Sequence, residues 1–205
     1  SGGYKRQGKS FSATTDGEGF FELNSSMEFA SSYVQLSVDG FYFNEITGKQ
    51  SSSQITLEAI ADIKDRNNIN ANLITHLEFK RVLYLVNKEK KKFDEAKKQA
   101  ENELLNCFLI KDKTITPETV SIKDNNVQAN MLIAISSILL NAVADEDPME
   151  MDAKFTILIN NFRDDFEKDG QINDSLKETI KDASYRLNYK KVKENIENKY
   201  SEFGK

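Results

Sequence analysis

The spacing of apolar residues changes near Asn70, and this change constrains the fold more than any other feature of the sequence. Before Asn70, apolar and polar side chains alternate, as in residues 33–38, which is typical of a strand with one buried face. After it, apolar side chains recur every three or four residues, which is typical of amphipathic helices. The sequence therefore predicts an α+β protein. An N-terminal antiparallel β-sandwich is predicted in residues 1–66, and an all-α helical bundle in residues 67–205.

The N-terminal part is predicted to consist of short strands separated by turns. Strands are expected in residues 11–15, 20–23, 33–38, 41–43 and 55–60. Turns are expected where glycine can supply a positive φ, at residues 16–19 and at Asp39-Gly40. Short strands separated by turns of this kind indicate an antiparallel sandwich.

The C-terminal part is predicted to contain about six helices. Residues 70–109 are expected to form an antiparallel helical hairpin, because the lysine-rich join at residues 88–92 is short. Residues 131–143 are apolar on nearly all sides and are expected to lie at the centre of the bundle. Residues 116–118 are expected to start a single helical turn, with proline in its first position. Gly170 is expected to end a strongly amphipathic helix as its C′ residue.

Charge and composition exclude several classes of protein. The 205 residues carry a formal net charge of −5, which argues against sequence-independent binding to nucleic acid. We see no apolar run that approaches the roughly 20 residues of a membrane-spanning helix. The single cysteine, Cys107, cannot form a disulfide within the chain.

Residues 15–20 (TDGEGF), followed by residues 33–41 (YVQLSVDGF), resemble the carboxypeptidase regulatory-like domain. The resemblance covers roughly the first 60 residues. It implies a transthyretin-like β-sandwich that acts as an accessory module, and it brings no catalytic residues. The opening strand of that family, which usually lies some twenty residues upstream, has no counterpart here.

A second resemblance covers most of the chain. Residues 42–45 (YFNE), 51–57 (SSSQITL) and 70–77 (NANLITHL) are similar to uncharacterised exported lipoproteins of Bacteroides-type bacteria. This resemblance implies a location in the bacterial cell envelope, at the outer membrane surface or in the periplasm. It also implies that the membrane is reached only through an N-terminal lipid anchor outside this sequence.

The aromatic run Phe41, Tyr42 and Phe43 is the candidate binding surface. In an alternating strand, two of its side chains face one side and the third faces the other. Burial of the run between the β and α parts is one interpretation, since aromatic residues are commonly buried between domains. A site for a protein or glycan partner is the other.

His76 and Cys107 are the only histidine and the only cysteine. In an antiparallel hairpin centred near Lys90 they lie about equally far from the turn, and a cysteine–histidine pair can supply a nucleophile and a base. Cys107, however, lies on the apolar stripe of its helix, where a thiol usually behaves as a small hydrophobic group. One histidine and one cysteine cannot form a tetrahedral metal site, so we predict neither a metal nor a cofactor.

Residues 165–176 begin like a calcium-binding loop, with Asp165, Glu167, Asp169 and Gly170 at the first, third, fifth and sixth positions. The twelfth position is Leu176, where such a loop needs a bidentate glutamate. We therefore interpret the segment as the end of one helix followed by the cap of the next.

Together these observations predict a non-enzymatic lipoprotein of the cell envelope that binds or assembles with a protein or glycan partner. One alternative is a glycan or peptide carrier with a pocket between the β and α parts. The other is an enzyme that uses His76 and Cys107. A deep apolar cleft lined by Phe41 and Tyr42 favours the carrier, whereas a filled seam favours a structural role for that surface.

Overall fold

The computed structural model describes residues 10–16, 19–22, 31–66, 68–111 and 114–201. Within them the strands are β1 (Tyr33–Gly40), β2 (Phe43–Asn44), β3 (Lys49–Gln50) and β4 (Ile55–Asp62). The helices are α1 (Leu73–Asn87), α2 (Phe93–Cys107), α3 (Val127–Asn141), α4 (Pro148–Phe166), α5 (Asp174–Arg186) and α6 (Tyr189–Ser201), with a short 3₁₀ turn at Pro117–Thr119. The described residues thus form a mixed α and β fold, with its strands before Asn70 and its helices after it, as the change in spacing predicts.

The strands form two separate two-stranded antiparallel sheets. In the longer one, β1 pairs with β4 from Tyr33 opposite Asp62 to Gly40 opposite Ile55. In the shorter one, β2 pairs with β3. The described residues do not form a full sandwich of two facing sheets. The reason lies in β4, whose Ile55 and Ile60 are buried in clusters with helical side chains.

Some of the local predictions for the β part are wrong. Asp39 and Gly40 do not turn the chain but continue β1, where the Thr56 hydroxyl donates to Asp39 Oδ1 across the sheet over 2.5 Å. Of the aromatic run, only Phe43 lies in a strand. Residues 11–15 and 20–22 were expected in strands, but they lie outside any strand, and Leu23 is outside the described residues. Alternation indicates which side chains can share a face, but it does not by itself determine that a strand forms.

Gly19, the last residue of the turn predicted before Phe20, has φ +86°. Its N–H donates to the Asp16 carbonyl over 3.1 Å, and residues 17 and 18 of the predicted turn lie outside the described residues. The Phe20 N–H donates to Asp16 Oδ1 over 3.0 Å. Glycine at this position meets the positive φ without steric cost.

Helix α1 begins at a reciprocal cap. Asn72 Oδ1 accepts from the Thr75 N–H over 3.1 Å, and Thr75 Oγ1 accepts from the Asn72 N–H over 3.0 Å. Such a capping box satisfies two backbone donors that the first turn of a helix leaves without partners. The Asn72 side chain also donates to the Pro117 carbonyl over 2.7 Å, so the cap ties the 3₁₀ turn to α1.

The main hydrophobic core lies among α1, α3 and α4, where Leu77, Ile135, Leu139, Ile159 and Phe162 are fully buried. Helix α3 contributes to this core along most of its length, as its apolar sequence predicts. A second cluster packs β4 against the α1–α2 hairpin. Because β4 shares both clusters with helices, its buried face is part of the helical core, and the division at residue 66 stays a prediction.

Helix α4 ends as predicted. Gly170 has φ +70°, and its N–H donates to the Phe166 carbonyl over 3.2 Å. Asn173 caps the next helix, since its side chain accepts from the Leu176 N–H over 3.0 Å.

Candidate functional site

A cavity of about 830 Å³ opens on the helical part of the molecule, and we call it the helical cavity. It lies between the C-terminal end of α2, the connection from α4 to α5, and α5 itself. Its apolar wall is formed by Cys107, Phe108, Leu109, Ile138, Ile172 and Ile180. A concave site of this size, with mainly apolar walls, is typical of the sites that bind small molecules.

Leu109 stands at the rim of the helical cavity in an unusual backbone conformation. It directly follows the residue that caps α2, its φ is +56°, and 88% of its surface is exposed. Its N–H donates to the Asn106 carbonyl over 3.0 Å. Helix ends in this conformation usually use glycine, because a side chain there costs roughly 1–2 kcal/mol. Both the backbone conformation and the exposure to water are therefore unfavourable for a leucine at this position.

The opposite rim is formed by α5. Tyr185 lines the cavity near the end of that helix and is 79% exposed. Lys177, Glu178 and Lys181 also line it, and Glu178 pairs with Lys181 over 3.2 Å. Charges of both signs thus surround an apolar interior.

The wall beside Gly170 is rigidly built. Arg81 Nε and Nη2 donate to the two carboxylate oxygens of Glu103 over 2.7 and 3.0 Å, and Arg81 Nη1 donates to the Lys168 carbonyl over 2.6 Å. A side chain at Gly170 would overlap the Glu103 carboxylate. This bidentate pair therefore joins α1, α2 and the end of α4 and fixes one side of the cavity.

The second notable site is a buried charged group that we call the Lys97 cluster. It consists of Lys97, Glu78, Glu101, Glu118 and Arg66. Lys97 Nζ pairs with Glu78 and with Glu118, and it lies 3.8 Å from Glu101. Arg66 Nη1 lies 3.9 Å from Glu118. The cluster connects α1, α2, the 3₁₀ turn and the loop after β4.

Burial shifts the pKa values of the charged groups in this cluster. Burial raises the pKa of Glu78 to about 8, although the Lys97 charge opposes the shift. Burial also raises the pKa of Glu101 to about 7, again against Lys97. Burial lowers the pKa of Lys97, but the charges of Glu78, Glu118 and Glu101 together raise it further, so the lysine is charged at neutral pH. Glu78 and Glu101 are partly protonated in the same range.

The structure separates the three aromatic residues predicted as a binding surface. Tyr42 packs against Phe155 of α4 with ring centroids 5.2 Å apart, and its hydroxyl donates to Asp152 over 2.7 Å. Phe43 is half-buried, with Lys199 of α6 5.7 Å from its ring centre. Phe41 is 53% exposed. Tyr42 thus fills the seam between the β and α parts, and Phe41 is left at the surface.

Asp152 of α4 fixes this seam. Its Oδ2 accepts from the Ser52 N–H and hydroxyl, both over 2.6 Å, and from the Ser53 N–H over 3.0 Å. Burial acts to raise the pKa of Asp152, but the hydrogen bonds from Ser52 and Tyr42 outweigh it and hold the pKa below its usual value. The loop between β3 and β4 is therefore anchored to the helices by an ionised carboxylate.

His76 and Cys107 have different surroundings. His76 is buried, and its Nδ1 accepts from the Glu58 N–H over 3.2 Å. Burial, and after it the charge of Arg163, lowers the pKa of His76 to about 4. Cys107 lines the helical cavity, where burial, and after it the charge of Glu103, raises the pKa of its thiol to about 11. A protonated thiol is a weak nucleophile at neutral pH.

The segment that begins like a calcium loop serves as a helix connection. Asp165 Oδ2 accepts from the backbone and side-chain N–H groups of Asn173 over 2.6 and 3.1 Å. The Asp165 carboxylate therefore binds the N-cap residue of α5. Across the described ranges, no group of three or more histidine, cysteine or acidic side chains is arranged to hold a metal ion.

Sequence reasoning missed the helical cavity and the Lys97 cluster. In the sequence, the only local sign of the cluster is the spacing of Lys97 and Glu101 by one helical turn. The same spacing is also typical of a solvated helix face. The cavity leaves none, because its walls come from α2, α3 and α5, which are distant in the sequence.

No protein-family model matches the chain, and no curated protein or solved structure is significantly similar to it. A search of the described helices finds none that is both long enough and apolar enough to cross a membrane.

Proposed function

We propose that the chain is a non-enzymatic binding protein whose ligand inserts an apolar chain or ring into the helical cavity. One observation carries this proposal: a cavity of about 830 Å³ with an apolar wall, at whose rim an almost fully exposed leucine is held at positive φ. An exposed apolar side chain in a strained backbone conformation raises the free energy of the protein without a ligand. A ligand that covers the side chain offsets this unfavourable free energy.

The chemistry of the cavity supports binding rather than catalysis. Cys107 lines the cavity, and the raised pKa of its thiol keeps it protonated at neutral pH. His76, the candidate base for this thiol, instead accepts a hydrogen bond from the Glu58 N–H of β4. The thiol therefore serves as part of the apolar wall.

The walls also favour a class of ligand. The lining includes both lysine and acidic side chains, so neither an anion nor a cation is strongly preferred. Aliphatic and aromatic side chains form the interior, which suits an uncharged apolar group, such as an apolar side chain of a peptide partner, better than a free glycan.

Replacing Leu109 with glycine tests the proposal. We expect the free energy of unfolding to stay the same or rise by about 1 kcal/mol, because glycine relieves the positive φ and the lost side chain is exposed. We expect binding of Nile red, an uncharged apolar dye, to weaken about fivefold, because the rim loses an exposed apolar side chain. Fluorescence titration and urea unfolding provide the two measurements.

A matched control is Ile157→Ala on α4, which removes an exposed apolar side chain away from the cavity. This variant should bind Nile red as the original chain does. Equal dye affinity in the Leu109→Gly variant and the original chain would contradict the proposed site.

The proposal includes a location in the bacterial cell envelope, with attachment through an N-terminal lipid anchor and a role in binding or assembling with a protein or glycan partner. Its support is the similarity of residues 42–45, 51–57 and 70–77 to exported lipoproteins. Fractionation of cells that express the complete gene, with labelling by radioactive palmitate, tests the location. Recovery in the cytoplasm without label would reject it.

The finer proposal for the β part is a carboxypeptidase regulatory-like sandwich, to which β1 and β4 contribute. Its support is the resemblance together with the antiparallel pairing of these two strands. Backbone NMR of a chain extended upstream tests it. Additional strands hydrogen-bonded to the edge of β1 or β4 are expected, and their absence would reject the sandwich.

A further inference from the structure

The outer side of α5 runs along one rim of the helical cavity, and we call it the α5 face. Its side chains recur every three or four residues, which places them on one side of a helix. They are Asp174, Glu178, Lys181 and Tyr185, and all four are exposed. The last three also line the helical cavity.

The charges of the α5 face are self-complementary when a second α5 helix lies antiparallel to the first. A two-fold axis midway between Glu178 and Lys181 places Glu178 of each copy opposite Lys181 of the other. The same axis places Lys177 opposite Asp182. Each lysine thus meets an acidic side chain, and a surface that complements itself in this way is what a two-fold dimer requires.

The same arrangement brings an aromatic ring to the helical cavity. Tyr185 of one copy comes opposite Asp174 of the other, at the start of α5. Residues 170–172, which precede that helix start, line the cavity. The apolar interior suits the ring, and the polar rim suits its hydroxyl. A helix laid over the mouth of the cavity also covers Leu109, which is 88% exposed.

We infer that a second copy of this chain binds at the α5 face, with Tyr185 of each copy inserted into the helical cavity of the other. This inference rests on the proposed function, because it names the apolar group that the cavity binds. Tyrosine suits this role, since its ring supplies a large contact area and its side chain has few rotatable bonds.

The charge balance of the cavity supports a second copy as the partner. The chain has a net charge of −5, so two copies repel each other on average. In the cavity wall, Glu103 is already paired with Arg81. The other charged side chains of the wall are two acids and two bases: Asp169, Glu178, Lys177 and Lys181. Approach through this neutral, self-complementary face therefore avoids the repulsion.

Sedimentation equilibrium of the full chain, at concentrations from about 1 µM to 1 mM, tests the inference. We expect a dimer with a dissociation constant on the order of 10–100 µM, because the interface is small. Salt should weaken it, since its ion pairs lie near the surface. Tyr185→Ser should weaken it about tenfold, because the inserted ring is lost.

Charge reversal tests the antiparallel pairing. Glu178→Lys and Lys181→Glu should each weaken self-association about tenfold, because each places like charges opposite one another. An equal mixture of the two variants should form a mixed dimer, since both central pairs are then of opposite sign. The matched control is Glu95→Lys, which makes the same charge change at an exposed position on α2 outside the cavity. Its self-association should stay within about twofold of the original.

Titration of the original chain with Nile red separates this inference from the proposed function. The dye should bind at 1 µM protein, where the chain is monomeric, and its affinity should fall as the protein concentration rises and the dimer fills the cavity. A chain that binds the dye but stays monomeric at 1 mM overturns the inference and leaves the proposed function standing. Variants that do not associate when mixed also overturn the inference. Absence of dye binding to the monomer overturns both.

Discussion

Replacing Lys97 with methionine is expected to lower the free energy of unfolding by about 3–5 kcal/mol. The lysine is 8% exposed, and its Nζ is the direct partner of Glu78 and Glu118, which are 1% and 2% exposed. Methionine fills a similar volume but leaves Glu78 buried without its cationic partner and Glu118 with only Arg66, 3.9 Å away. These groups must then take up protons or draw water into the interior. Urea unfolding at pH 7 provides the measurement.

Two further variants make this expectation specific. Lys98→Met changes the exposed neighbour and should alter stability by about 0.5 kcal/mol or less. Adding Glu78→Leu to Lys97→Met should recover part of the loss, because it removes the buried carboxyl group that has lost its cationic partner. A Lys97→Met variant as stable as the original chain would show that the buried charges do not depend on one another.

Much of the helical part could be predicted from the sequence because the information is local. Each helix has its own apolar stripe, and Asn72, Pro117 and Gly170 mark helix starts or ends by short-range chemistry. These features act within a few residues, so they determine the same local structure in many tertiary settings.

The β part was predicted less well because pairing is not local. The sequence predicts β1 and β4, whose partners lie within the described residues. The same alternation fails for residues 11–15, which lie outside any strand. A spacing pattern indicates which side chains can share a face, but not whether a sheet or a helix covers that face.

The candidate sites depend on still longer separations. The helical cavity needs the end of α2 beside α5, some 70 residues later in the sequence. The Lys97 cluster combines residues from the loop after β4 to the 3₁₀ turn. In the sequence each of these charges is typical of a solvated helix face, and only the packing of four elements excludes water from them.

We also expect the molecule to become less stable as the pH rises from about 6.5 to 8. Burial is the main cause that raises the pKa of Glu45 to about 7 and that of Glu78 to about 8, whereas an unfolded glutamate titrates near 4.5. Above 4.5 the folded state thus holds protons that the unfolded state has released, and stability falls with rising pH. The lowered pKa of His76, about 4, acts oppositely but only below 6.5.

Glu45→Gln isolates one contribution to this fall. Glu45 is 5% exposed, Ser136 donates to its Oε1 over 2.8 Å, and its Oε2 has no hydrogen-bond partner. At pH 5 the residue is already neutral in the folded state, so the variant should be equal to the original chain or slightly less stable. At pH 8 the original chain must bury a charge or break the seam, so the variant should be more stable by about 2 kcal/mol.

The effect of Glu45→Gln on stability is expected to change sign between pH 5 and pH 8. A general response to net charge does not change sign in this way. Glu194→Gln removes the same charge from an exposed position on α6, the helix whose Asn195 donates to the Glu45 carbonyl over 2.8 Å. This control should shift stability slightly and in the same direction at both pH values, because solvent screens its charge. Denaturant unfolding of the three proteins at half-unit pH steps provides the comparison. If the Glu45→Gln difference stays constant across the range, Glu45 is ionised in the folded state throughout, and the seam tolerates a buried carboxylate.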